Sequence, residues 1–161
     1  KNNLKKYKIN KVFCDPNKIY SNYFDIICIN EVFEHLNIEE QKKVFINLKR
    51  ISHKNCKLII SVPIEVGLSS LIKNLIRIAI SQTHSNTNFL NILRGFFYLK
   101  IKRPNKKYND SHIGFNYLKF VDFLKNKQNV DIINLYYSPF NIMRGIINSQ
   151  VYIIARFNGK I

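Results

Sequence analysis

Two β-branched apolar runs bracket a single amphipathic helical stretch, and this arrangement restricts the chain more than any other feature. The first run is Phe24-Asp25-Ile26-Ile27-Cys28-Ile29 and the second is Lys57-Leu58-Ile59-Ile60-Ser61-Val62-Pro63. Short, nearly continuous apolar runs of this kind are expected as strands buried on both faces of a parallel sheet. Asn30-Glu31 ends the first, and Pro63, which cannot donate to a ladder, ends the second. Residues 38–52 lie between them, with Val44, Phe45, Leu48 and Ile51 at helical spacing. Asn37 is placed to cap that helix, Glu39 and Glu40 occupy its first turn, and basic residues gather late. A strand–helix–strand order of this length predicts a right-handed parallel crossover, hence the α/β class.

The rest of the chain reads as further elements of one domain. Residues 1–7 resemble the end of a polar helix, and Lys11–Cys14 is a short strand stopped by Asp15-Pro16. Residues 68–80 and 86–99 are helical in pattern, and 100–111 is a polar, basic loop. Residues 116–126 form another helix, and Val130–Tyr137 and Gln150–Phe157 are the last two strands. There is no internal repeat and no low-complexity linker, so residues 1–161 are read as a single unit.

Composition limits the function classes. At 46% hydrophobic over 161 residues, the chain can bury a real core. No apolar run reaches the ~20 residues needed to span a bilayer. The N-terminus lacks a signal-peptide pattern and an initiator Met, so the sequence is expected to begin inside a longer protein. Cys14, Cys28 and Cys56 are an odd set without metal spacing, which makes a reducing, cytoplasmic location the default. Cys28 is expected as a small core residue. The net charge of +16 would suit RNA, DNA or anionic lipid. A general Lys, Asn and Ile bias explains most of it, since only Lys100, Lys102, Arg103, Lys106 and Lys107 cluster.

The run from Phe24 to Leu36, which continues the first strand into Asn30-Glu31-Val32-Phe33-Glu34-His35-Leu36, resembles the fourth-strand motif of class I S-adenosylmethionine-dependent methyltransferases. The helix that follows, the Leu58–Pro63 strand and Ser111-His112-Ile113-Gly114-Phe115 match the family's order. The resemblance implies a Rossmann-like α/β fold: a mostly parallel sheet with helices on both faces and an antiparallel last strand. It also implies that these residues are the C-terminal two-thirds of the domain, with the first strands missing. The family's Gly-rich loop and the ribose-binding acidic residue are absent, because Gly67, Gly95, Gly114, Gly145 and Gly159 are scattered. The chain by itself is therefore expected to bind the cofactor poorly.

The resemblance assigns roles at the carboxyl ends of the strands, where open parallel sheets bind ligands. Asp15 would accept from the adenine amine, and Asn30 and Glu31 would lie near the methionine part of S-adenosylmethionine and the substrate. Asp15 also reads as a plain turn former before Pro16. Methyl transfer from a sulfonium needs chiefly alignment, with a base only for a protonated acceptor such as a hydroxyl. His35 and His112 are the candidates for that base. His53 reads as a dipole partner at a helix end, and His84 as a loop residue. Some family members bind a divalent cation through a similar Glu-x-x-Glu-His and a later histidine, here Glu31, Glu34, His35 and His112. The competing reading is a structural Glu-His-Leu turn.

Residues 68–80 set Leu68, Leu71, Ile72, Leu75, Ile76 and Ala79 against Lys73, Asn74 and Arg77. The helix is expected to pack its apolar face on the domain's own core. A lid over the acceptor, or a basic face laid on an anionic membrane, are the other readings. The overall expectation is methyl transfer to oxygen of a small, lipid-like or lipid-linked acceptor or a cell-surface sugar precursor. A non-catalytic methyltransferase-like scaffold and a basic RNA-binding methyltransferase are the rivals.

Overall fold

The strand–helix–strand unit forms where the apolar pattern places it, except that its second strand begins at Ser52 and not at Lys57. The computed structural model describes residues 15–81, 88–103 and 106–158. Its regular elements are β1 (Phe24–Asn30), α1 (Ile38–Ile51), β2 (Ser52–Pro63), α2 (Gly67–Ala79), α3 (Phe89–Phe96), α4 (Tyr117–Gln128), β3 (Val130–Ser138) and β4 (Gln150–Phe157). The helix end at 1–7, the Lys11–Cys14 strand and His84 lie outside the described residues. Among the described residues no helix is long and apolar enough to cross a membrane.

The strands form one sheet in the order β1-β2-β4-β3. β1 pairs parallel with β2, in the register Ile27↔Leu58 and Ile29↔Ile60. β4 is antiparallel to both β2 and β3. Three of these four strands run one way, and the reversed β4 lies between two of them. One reversal therefore produces two antiparallel pairings, and the antiparallel strand is the expected last one.

Register sets which side chains enter the core. The pairings bring Ile29, Ile60, Ile153 and Leu135 into one row across the sheet, next to Ile27, Leu58, Ala155 and Ile132. Successive strand residues face opposite sides, so this whole set shares one face. Phe45 of α1 and Phe120 of α4 cover it, with Phe33 between them at ring distances of 4.9 and 5.0 Å. Phe33, Leu58, Ile60 and Ile153 have no exposed surface.

Burial of β1 on both faces is not what the structure shows. The strand alternates: Ile27 and Ile29 pack on the core, while Ile26 is 57% exposed and Cys28 is exposed too. α1 and α4 lie on the same side of the sheet, and β1 is one of its two edge strands among the described residues. The other side of β1 thus meets no helix among the described residues. Cys28 is accordingly not a core residue, whereas Cys56 is buried.

α1 begins at its predicted cap, with Asn37 Oδ1 accepting from the Glu40 amide at 2.9 Å. It ends at Ile51, one residue short of the expected end. Ser52 Oγ donates to the Leu48 carbonyl at 2.6 Å and the chain passes directly into β2. His53 consequently sits in β2, exposed, 3.5 Å from Asp25, and is not a helix-end residue.

The largest departure from expectation is α2. Its buried residues are Gly67, Ser69, Ser70 and Asn74, while Leu68, Ile72, Leu75 and Ile76 are exposed. The polar stripe, not the apolar one, packs inward. The reason is Glu65, which is buried just before the helix and needs cations. Lys73 Nζ lies 2.8 Å from Glu65 Oε1 and donates to the Ile64 carbonyl at 2.6 Å, and Arg77 Nη1 is 3.7 Å from Glu65 Oε2. Ser69 Oγ adds a bond to the Asn148 carbonyl at 2.5 Å. The basic face is therefore committed to the protein interior and does not face outward as the sequence pattern suggested.

Candidate functional site

A tight turn after β1 builds the site. Glu31 leaves the strand in the left-handed region, with φ 51°, while its amide still donates to the Ser61 carbonyl at 3.0 Å. A 3-10 turn over Phe33–His35 follows. Phe33 anchors it in the aromatic core, and buried Gln41 of α1 holds it from below. Gln41 Nε2 donates to the carbonyls of Phe33 at 2.8 Å and Leu36 at 3.2 Å. With Phe33 and Gln41 fixed, Glu34 and His35 have little freedom.

Glu34 is fully buried, and neither carboxylate oxygen has a hydrogen-bond partner among the described residues. Burial raises its pKa above the ordinary 4.5, with the Glu31 charge adding to the rise. His35 and Arg103 act in the opposite sense. Arg103 reaches in from the loop after α3, where Nη2 donates to the carbonyls of Glu34 at 2.5 Å and Ser111 at 2.9 Å.

His35 is held by the same loop. Its Nδ1 is 2.8 Å from the Asn109 carbonyl, and its ring stacks on Tyr108 at 5.0 Å. A carbonyl only accepts, so Nδ1 carries the proton and the Nε2 lone pair of the neutral ring points away from Asn109. It points at His112, whose Nε2 is 3.1 Å distant, and His35 Nε2 is also 3.9 Å from Glu34 Oε1. Burial lowers the His112 pKa from 6.5, and buried Glu65 partly opposes this. The ligand atoms of Glu34, His35 and His112 all lie within 4.8 Å of one another. One carboxylate and two imidazole nitrogens at that spacing can receive a divalent cation or pass a proton.

Of the sequence-selected residues, the fold thus brings together Glu34, His35 and His112. Glu31 stays outside that group: its Oε1 accepts from Gln150 Nε2 at the start of β4, though its charge still reaches Glu34. Asn30 Oδ1 accepts from Ser61 Oγ at 3.3 Å, across the β1–β2 pair. Asp15 Oδ1 accepts from the Asn17 amide at 2.9 Å, which is the turn-forming role. Arg103, Tyr108, Asn109 and Glu65 escaped the sequence reading. Arg103 was visible only as one member of a basic cluster, and a backbone carbonyl such as that of Asn109 has no sequence signal.

No family model matches the chain, and no curated protein does. Solved structures do. One from Sulfolobus solfataricus, assigned as a type 11 methyltransferase, aligns over 98% of this chain at 12% identity with a TM-score of 0.47. A SAM-dependent methyltransferase from Archaeoglobus fulgidus aligns over 96% at 14% identity with a TM-score of 0.50. This chain spans 65% of the length of the first and 72% of the second.

Proposed function

We propose, from a chain that has the class I methyltransferase fold, that this protein transfers a methyl group from S-adenosylmethionine to an acceptor oxygen. The observation that supports this most is the Glu34–His35–His112 cluster, which follows the carboxyl end of β1 directly. Ligands in open sheets of this class sit beyond such strand ends. S-adenosylmethionine supplies a methyl already activated on sulfonium, so the protein's task is alignment and acceptor activation. Asn30 and Glu31 would border the cofactor, with Glu31 steadied by Gln150. Asp15 would meet the adenine, by resemblance alone.

Glu34, His35 and His112 fit a divalent cation. Glu34 has two buried oxygens without hydrogen-bond partners among the described residues, and the Asn109 carbonyl orients His35 as outer-shell carbonyls orient metal-binding imidazoles. A cation there would act as a Lewis acid on the acceptor hydroxyl. A second reading rests on the lowered pKa of His112, which keeps it unprotonated near neutral pH and able to take the acceptor proton.

The acceptor is read as a small, lipid-like or lipid-linked molecule, or a sugar precursor, in preference to RNA. The reaction is assigned to the cytoplasm, where free thiols such as Cys28 and Cys56 persist. Thermal-shift titration of the full-length protein with S-adenosylhomocysteine tests the core claim. A saturable rise in Tm is expected, and none at millimolar ligand would favour a non-catalytic scaffold. Metal analysis of the purified protein and of Glu34→Ala separates the two site chemistries. Metal in the first and not the second is expected; none in either would leave the His112 reading.

A further inference from the structure

α2 and α3 present to the outside what surface helices ordinarily bury. Leu75 and Ile76 of α2 are each 55% exposed, and Phe89 at the start of α3 is 76% exposed. The surface continues through Phe97 and Leu99, both well exposed, into the β3–β4 connection. There Ile142 and Met143 are exposed, and Tyr98 and Met143 line a common cavity. Singly exposed apolar residues are ordinary, but a connected surface of this kind marks an interaction site.

Charge identifies the occupant. Between Glu65 and Asp110 the chain has no Asp or Glu, and it has Lys73, Arg77, Arg94, Lys100, Lys102, Arg103, Lys106 and Lys107. Lys73, Arg77 and Arg103 are turned inward onto Glu65 and Glu34. Lys100, Lys102, Lys106 and Lys107 remain exposed, and exposed Arg144 stands in the β3–β4 connection, which has no acidic residue. Lys100 and Lys102 line a cavity with Leu99, whereas Lys107 lies toward Asn37 and Glu40 of α1, and the apolar segments themselves carry no carboxylate. A second copy of a chain with net charge +16 would set like charge against like. An anionic bilayer offers the complement on both counts: acyl chains for the apolar residues and headgroups for the cations.

We propose that the outward faces of α2 and α3, with the β3–β4 connection, form a surface that docks onto anionic lipid bilayers. The inverted packing of α2 gives this a structural logic. Its polar face is turned inward, where Lys73 pairs with Glu65, and the apolar face is left for the outside. Docking does not depend on methyl transfer. If both hold, the acceptor is carried by the membrane.

The test is co-sedimentation of the full-length protein with phosphatidylcholine vesicles, with and without phosphatidylglycerol, in the absence of cofactor. Binding to the phosphatidylglycerol vesicles is expected, falling with salt, and little binding to phosphatidylcholine alone. Leu75→Asp with Ile76→Asp should weaken it by more than about tenfold. Each of Lys100→Glu and Lys102→Glu should weaken it by about fivefold or more. Ile46→Asp, at a 68% exposed position on α1, should leave it unchanged. Failure to bind anionic vesicles, or equal binding by the Leu75→Asp/Ile76→Asp protein, would overturn the proposal. So would light scattering that shows a dimer broken by that double substitution, since a second copy would then be the occupant. Because no cofactor is present, these outcomes are separate from the S-adenosylhomocysteine result.

Discussion

His112 Nε2 lies 3.1 Å from His35 Nε2, although 77 positions separate them in the chain. With the His35 Nδ1 proton committed to the Asn109 carbonyl, two nitrogens and the Glu34 carboxylate converge on one small volume. His112→Ala or Glu34→Ala should each weaken Mn²⁺ binding by at least roughly 100-fold, beyond the loss typical of outer-shell changes. Isothermal titration of the full-length protein with Mn²⁺ checks this. Equal affinity in wild type and both variants would remove the metal site.

Glu34 and His112 should give the metal-free protein opposite pH dependences. Glu34 has a folded pKa above its ordinary 4.5, so the folded state binds the proton more tightly. Its contribution is fully present below that value and is lost as pH rises through the raised pKa. His112 has a folded pKa below 6.5, so its contribution is present above 6.5 and is lost as pH falls through the lowered pKa. Glu34→Gln should flatten the first trend and raise the metal-free Tm at the alkaline end of the range, because it removes a buried ionisable carboxyl whose oxygens have no hydrogen-bond partner among the described residues. Denaturant unfolding from pH 4 to 8 with and without chelator reads both. A lower Tm for metal-free Glu34→Gln at the alkaline end would contradict the argument.

Phe33 couples the core to the site. It has no exposed surface and stacks on Phe45 at 4.9 Å with the rings 10° from parallel. Phe33→Ala should cost about 3–5 kcal/mol by leaving a cavity among aromatic rings. Phe33→Leu should cost less and keep the turn, so metal affinity should survive in it and fall in Phe33→Ala. Urea unfolding and Mn²⁺ titration give the two numbers.

Gly67 starts α2 at φ +75°, where a side chain is strained, and an added Cβ would lie 2.5 Å from the Tyr98 hydroxyl. Gly67→Ala should therefore destabilise the protein by more than about 1 kcal/mol. Tyr98→Phe in the same chain should return part of the loss, by relieving the clash but not the backbone strain. Full recovery would mean the backbone conformation contributes nothing.

Much of the local structure was legible because its signals are local. Asn37 caps α1 through the Glu40 amide, Pro63 ends β2, and β3 and β4 lie where β-branched residues cluster. The same reasoning failed for α2, where the apolar stripe was visible but its direction was not. A hydrophobic pattern tells that a helix has two faces; it does not tell which face a buried carboxylate such as Glu65 will claim. Cys28 failed for a related cause. An apolar run shows that a strand exists, while exposure depends on what else lies against it.

The sequence by itself determined the strand–helix–strand unit and the capped start of α1, since spacing and capping are properties of neighbouring residues, while the candidacy of Glu34, His35 and His112 came from the family resemblance. Tertiary structure alone decided that these three meet, that Glu31 turns to Gln150 instead, and that Arg103 and the Asn109 carbonyl support them. It also decided that α2 faces Ile72, Leu75 and Ile76 outward. Those outcomes depend on distances between segments far apart in the chain, fixed by sheet register and by the need of each buried charge for a partner.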